Sequence, residues 1–131
     1  MEKRAIFLSV ISISTLVLII FFFSFFTIYK DAKTACLKAQ NEYKEGCVGS
    51  LIKYIQSDGN KFGARNSAIW ALGQLADKKA LPFLYELEKS LPEQEKCSYE
   101  NSLCKYEVQK AIRWCEKGNV TSWMYRDREN W

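Results

Sequence analysis

The sequence AIFLSVISISTLVLIIFFFSFFTIY, residues 5–29, contains no charged residue, no proline and no glycine. At a rise of about 1.5 Å per residue, a helix over these 25 residues is about 37 Å long, enough to cross a hydrocarbon core of about 30 Å. A signal peptide has a shorter apolar region followed by a small-residue cleavage site, and neither residues 24–27 nor residues 33–36 form a good one. The run therefore predicts an uncleaved, single transmembrane anchor.

The part of the chain after the anchor has the composition of one small domain with a modest core. It carries 17 basic and 14 acidic residues with the two signs interspersed, which is typical of a solvated surface and excludes a nucleic-acid partner. The chain contains no His, which excludes His-based catalysis and His metal sites. We expect no cofactor, and we divide the chain into a cytoplasmic N-terminus (1–4), the anchor (5–29), a helical domain (30–117) and an aromatic tail (118–131).

All five cysteines follow the anchor, at a density typical of small domains in an oxidising compartment. Two basic residues flank each end of the anchor, so the positive-inside rule favours neither orientation by side chains alone. The free amino terminus adds one positive charge on the N-terminal side. The cysteines therefore decide the prediction: the N-terminus is cytoplasmic and the domain is extracytoplasmic, periplasmic or extracellular. The alternative is a cytosolic domain with buried, reduced cysteines.

The spacing of the cysteines limits which pairs can form a disulfide. Cys104 and Cys115 are 11 positions apart on one predicted helix, about 16 Å apart, and a disulfide needs Cα atoms about 6 Å apart. Sequence alone does not fix the connectivity, but we favour Cys36 with Cys47, Cys97 with Cys104, and Cys115 as a buried thiol. The chain lacks the close Cys-x-x-Cys pair expected of a metal site built from cysteines.

Apolar residues at helical spacing predict an all-α domain of five helices. The first four are expected at about 31–44, 47–56, 64–76 and from about 80 to 91, and a fifth around 106–115. Residues 57–60, Ser-Asp-Gly-Asn, predict a turn, and Pro92 ends the fourth helix.

Residues 63–87, GARNSAIWALGQLADKKALPFLYEL, resemble a HEAT repeat of the short type also found in phycobilin lyases. The resemblance implies a short α-solenoid of about two and a half helical hairpins, with weaker units on either side. It also implies that Asp77 caps the fourth helix and that Arg65 pairs with Asp58 of the preceding turn. The alternative for these charges is an ordinary solvated surface.

Small side chains cluster on one side of the predicted anchor. On a helical wheel they fall within about 120° of one another, which favours close approach by another transmembrane helix. Alternatively, each hydroxyl bonds back to its own helix and the face contacts lipid. These residues are Ala5, Ser9, Ser12, Ser24 and Thr27.

The tail is rich in Trp, Tyr and Arg, the residue types enriched at binding hot spots. It is either a docking segment, with Trp123, Tyr125, Arg126 and Trp131 as its contacts, or a hydrophobic cap folded back on the helices.

Taken together, these features favour a non-enzymatic, membrane-anchored interaction module, an accessory subunit or assembly factor of a larger membrane complex. Its expected partners are other membrane protein subunits and the lipid bilayer. The alternatives are an enzyme analogous to the bilin lyases, and a thiol redox protein using Cys115 or a labile Cys97–Cys104 bond.

Overall fold

The computed structural model describes residues 2–93, 96–128 and 131, without the side chains of Glu2 and Ala5. That part of the chain is all-helical, as predicted, and contains no strand. The helices are α1 (Glu2–Tyr43), α2 (Cys47–Gln56), α3 (Phe62–Leu75), α4 (Leu81–Ser90) and α5 (Lys105–Lys117), with 3₁₀ turns at Lys78–Ala80 and Ser122–Tyr125.

Helix α1 continues without a break from the predicted anchor into the domain. Its first half, residues 6–24, is exposed along its whole length and is long and apolar enough to span a membrane. In its second half Ala32, Cys36 and Ala39 are fully buried at three- and four-residue spacing. These small side chains let α2 and α3 approach the backbone of α1 closely.

A tight turn joins α1 to α2 where the sequence predicts one. Lys44 takes a left-handed conformation (φ +56°), and its N–H donates to the Gln40 carbonyl at 2.8 Å, which ends α1. The buried Ser50 hydroxyl donates to the Glu45 carbonyl at 3.0 Å and accepts from the Glu45 N–H at 3.2 Å.

Helix α3 lies at the centre of the domain and packs against α1, α2 and α5. Its apolar residues Ile69, Leu72 and Leu75 are buried, in agreement with the predicted spacing. Gly73 allows the close approach of α5, because a Cβ atom there would lie 2.8 Å from the Trp114 ring and 3.0 Å from the Ala111 Cα.

Two buried polar side chains of α3, which the sequence analysis missed, hold the non-helical segments. Asn66 donates to the Tyr99 and Ser102 carbonyls, both at 2.8 Å, and accepts from the Cys104 N–H at 2.9 Å. Gln74 Oε1 accepts from the Asn119 amide at 3.0 Å and from the Thr121 hydroxyl at 2.6 Å. Because Gln74 binds it, the start of the tail is part of the domain.

Helix boundaries and packing refine the predictions. Helix α5 begins after Cys104. The prediction that Cys104 and Cys115 lie on one helix is therefore wrong, because Cys104 is the residue that precedes the helix. The main packed helix pairs in the described chain are α1–α2, α1–α3, α2–α3, α3–α5 and α4–α5, and α3–α4, the hairpin of the HEAT-like segment, is not among them. The solenoid therefore stays a prediction.

We predict that Asn66→Ala destabilises the protein by about 2–4 kcal/mol, because it leaves the buried Cys104 N–H and two carbonyls without their partner. Urea unfolding of the full chain in detergent, followed by far-ultraviolet circular dichroism, measures the change. Asn101→Ala is the matched control, because Asn101 is exposed and its side-chain amide donates to the nearby Ser98 hydroxyl at 2.8 Å. Equal effects of the two substitutions would contradict the role assigned to Asn66.

Candidate interaction surfaces

The tail folds back onto α1 immediately after the exposed apolar span. Tyr125 is fully buried, its ring lies 6.0 Å from the Tyr29 ring in a stacked arrangement, and its hydroxyl donates to the Ile28 carbonyl at 3.5 Å. Trp131 meets both rings edge-on, with centroid distances of 5.9 Å to Tyr29 and 6.1 Å to Tyr125. The Lys33 ammonium lies 5.3 Å from the centre of the Trp131 ring. We call these four residues, Tyr29, Lys33, Tyr125 and Trp131, the tail junction.

Within the tail junction, Tyr125 is the most deeply buried side chain. Burial, together with the nearby Tyr29 and Asp31, raises the pKa of Tyr125 to about 12, so its hydroxyl remains a neutral donor at ordinary pH. Tyr125 is therefore covered by the rest of the chain, and its role as a docking contact stays a prediction. Trp123, in the same 3₁₀ turn, remains 59% exposed.

An ion pair fixes the tail at a second point. Arg128 donates to the Asp77 carboxylate at 2.6 Å, and both side chains are largely covered. Burial alone would raise the pKa of Asp77, but the Lys79 N–H and the Arg128 guanidinium outweigh it and lower that pKa. Arg126, predicted as a docking contact, is exposed, and Arg128 is the arginine that bonds to Asp77.

Asp77 has a capping role, although not on the predicted helix. Its carboxylate accepts from the Lys79 N–H at 2.9 Å and so caps the 3₁₀ turn Lys78–Ala80, which leads into α4. Helix α4 itself begins one turn later, at Leu81, and has Pro82 in its first turn.

The pair implied by the resemblance is present, but its two members differ in burial. Arg65 is 8% exposed and donates to Asp58 at 3.1 Å and to the Ile55 carbonyl at 2.6 Å. The Asp58 side chain is 95% exposed, so solvent screens the ion pair and its contribution is about 0–1 kcal/mol. The bond from Arg65 to Ile55 is therefore the one that ties α3 to the end of α2.

An open groove of about 570 Å³ lies between α1 and α3. The Lys38 ammonium lies 5.3 Å from the centre of the Tyr54 ring, within the groove. We call it the α1–α3 groove; it begins in the turn of α1 that follows the apolar span. Its lining combines aromatic, small and charged side chains: Asp31, Thr34, Ala35, Lys38, Tyr54, Ala64, Ser67, Ala68, Trp70 and Tyr99.

The predicted small-residue face lies on the exposed half of α1 and its continuation. The Ser24 hydroxyl donates to the Ile20 carbonyl at 2.9 Å, and the Thr27 hydroxyl donates to the Ser24 carbonyl at 2.8 Å. These bonds match the alternative in which the hydroxyls bond back to their own helix. Ser9 and Ser12 are exposed, and the side chain of Ala5 lies outside the described part.

The cysteines lie in the predicted pairs at disulfide distance. The Cα atoms of Cys36 and Cys47 are 5.3 Å apart, and those of Cys97 and Cys104 are also 5.3 Å apart. Cys115 is a buried thiol 3.7 Å from the Leu72 carbonyl oxygen. In the described chain, no three His, Cys, Asp or Glu residues are grouped as metal ligands.

Comparison of the chain with protein-family models, with curated proteins and with solved structures finds no match. The HEAT-like resemblance therefore rests on residues 63–87 alone.

We predict that native protein has one free thiol, Cys115, which reacts slowly at pH 8. Burial and the negative charge of Asp77 raise the pKa of Cys115 to about 11, so very little of the reactive thiolate is present at pH 8. Alkylation before and after unfolding, followed by non-reducing mass mapping, should show at least about a tenfold difference in rate. Fast reaction in the native state, or five alkylatable thiols, would contradict this arrangement.

Proposed function

We propose that this protein is a membrane-anchored, non-enzymatic interaction module that serves as an accessory subunit or assembly factor of a larger membrane complex. The observation that carries the proposal is the division of α1 into an exposed apolar half and a half that forms part of the domain core. Apolar surface left in water costs about 25 cal/mol per Å², so residues 6–24 require a cover of lipid or protein. The same helix that meets this cover also positions the domain.

The α1–α3 groove supports the interaction role. It starts beside the apolar span, so a partner subunit at the membrane surface would reach Asp31 and Trp70 without deforming the domain. Trp and Tyr side chains supply much of the binding energy at protein interfaces. The groove is open on one side, a shape that suits a protein segment better than an enclosed reaction site.

The domain is proposed to be a short α-solenoid. In support, the first helices of the proposed successive units, α1, α3 and α5, pack in order, with α1 on α3 and α3 on α5. A solenoid has two open ends and an extended surface, both of which suit protein partners. Two and a half units form a short array, and a partner subunit would extend the stack.

The domain is proposed to be extracytoplasmic, because its two cysteine pairs at disulfide distance fit an oxidising compartment. We predict that a membrane-impermeant protease added to intact cells or spheroplasts degrades the domain. A cytoplasmic protein serves as the control for membrane integrity. Full protection of the domain, alongside degradation of a known surface protein, would reverse the topology.

We predict that the full chain, purified at native abundance in mild detergent, carries a stoichiometric membrane-protein companion. Ser9→Leu and Ser12→Leu should release it by filling the face that a neighbouring helix approaches. Ser14→Leu is the matched control, because Ser14 is equally exposed but lies about 150° away around the helix. Quantitative mass spectrometry of the purified material measures the companion.

Comparing substitutions at Ser12 and Ser14, on opposite sides of α1, tests both the subunit role and the proposed face. Loss of the companion with Ser12→Leu and its retention with Ser14→Leu support the proposed subunit role. A chain that runs as a monomer with no companion contradicts the role, and equal release by both substitutions contradicts the proposed face.

A further inference from the structure

We propose that the tail is a second membrane-contacting element, in which Trp123 enters the headgroup region of the bilayer that α1 spans. The inference rests on the proposed anchor and goes beyond it, because it assigns a lipid contact to a part of the chain far from the anchor in sequence. The partner is the boundary between headgroups and acyl chains.

The tail lies beside the end of the apolar run of α1. The described side chains of α1 are exposed through residue 24; Phe25 is partly covered, Phe26 is exposed, and Thr27, Ile28 and Tyr29 are partly covered. Tyr125 and Trp131 contact Ile28 and Tyr29, at the end of the apolar run. The tail therefore lies at the level where a bilayer around residues 6–24 ends.

The chemistry of the tail junction fits this level. Tyr and Trp concentrate at membrane interfaces because their rings are apolar and their polar groups remain hydrated. The Lys33 ammonium lies over the Tyr29 and Trp131 rings at 5.9 and 5.3 Å, and a lysine just beyond the end of an apolar span can place its ammonium among the headgroups.

Trp123 is the residue that the domain leaves uncovered. It is 59% exposed, whereas Trp70, Trp114 and Trp131 are all partly covered. In a 3₁₀ turn with a rise of about 2 Å per residue, Trp123 lies about 4 Å along the axis from the buried Tyr125. Val120, 79% exposed, adds apolar surface to the same segment.

Charge does not select the lipid. Among the described residues, the exposed charges near the junction, Lys30, Asp31, Arg126 and Asp127, balance one another, and Arg128 is paired with Asp77. Lys33 adds a single positive charge that already lies over two rings. The aromatic side chains therefore carry the contact, and neutral lipid should suffice.

The test uses full-length protein labelled with 5-fluorotryptophan and reconstituted in phosphatidylcholine vesicles. The chain contains four Trp residues, and Trp123→Phe assigns the resonance of Trp123 by its loss. Broadening is measured with a phospholipid that carries a nitroxide near the headgroup, and separately with a water-soluble gadolinium chelate. Tyr106→Trp is the control for an exposed ring outside the tail, because Tyr106 is 60% exposed on α5.

We expect the lipid nitroxide to broaden the Trp123 resonance several-fold more than the resonance of Trp introduced at position 106, and the gadolinium chelate to show the reverse order. Vesicles containing phosphatidylglycerol should give the same broadening within roughly twofold. Equal broadening of both positions by gadolinium, protection of Trp123 from both agents, or a requirement for anionic lipid would overturn the inference. Protein that an alkaline carbonate wash removes from the vesicles would overturn the anchor itself, which separates the two failures.

Discussion

The unbroken backbone of α1 is the constraint on which the rest of the structure depends. The first glycine of the chain is Gly46 and the first proline is Pro82, so no residue that breaks helices interrupts the first 43 positions. In a continuous helix, the apolar half and the buried half share one axis, so their relative orientation is fixed. If residues 6–24 lie in a bilayer, the domain is held at one orientation relative to it.

Helix α3 organises the domain that α1 positions. Arg65 bonds the C-terminal end of α2, and Asn66 and Gln74 bond two non-helical segments, the insertion before α5 and the start of the tail. Buried polar side chains stabilise only when their partners are present, so these bonds specify one arrangement of the loops. A domain with a small core depends more on such buried hydrogen bonds than a large domain does, because it buries less apolar surface.

Local patterns in the sequence predict the helices, and the cysteine spacing favours, without fixing, the two pairs that lie at disulfide distance. Helical spacing and turn residues place α2 and α3 to within about two residues, and Cys36 and Cys47 face each other because the turn between them is short. The contacts of Asn66 and Gln74 were not predictable, because a polar residue on a helix usually marks a solvent-facing side. Their partners lie 33 to 47 positions away, and no short-range signal identifies them. The pairing of Arg128 with Asp77 was not predictable for the same reason, because the two residues lie 51 positions apart.

The central claim is that one rigid helix joins a membrane span to the domain. Hydrogen–deuterium exchange of the full chain in lipid nanodiscs tests it most directly, read across residues 24–36. We expect slow exchange through this whole segment, comparable to that of α3, because every amide is hydrogen-bonded within one continuous helix that lipid, the tail and the domain hold in place. Rapid exchange at residues 27–33 between two protected segments would reveal a hinge and contradict the account.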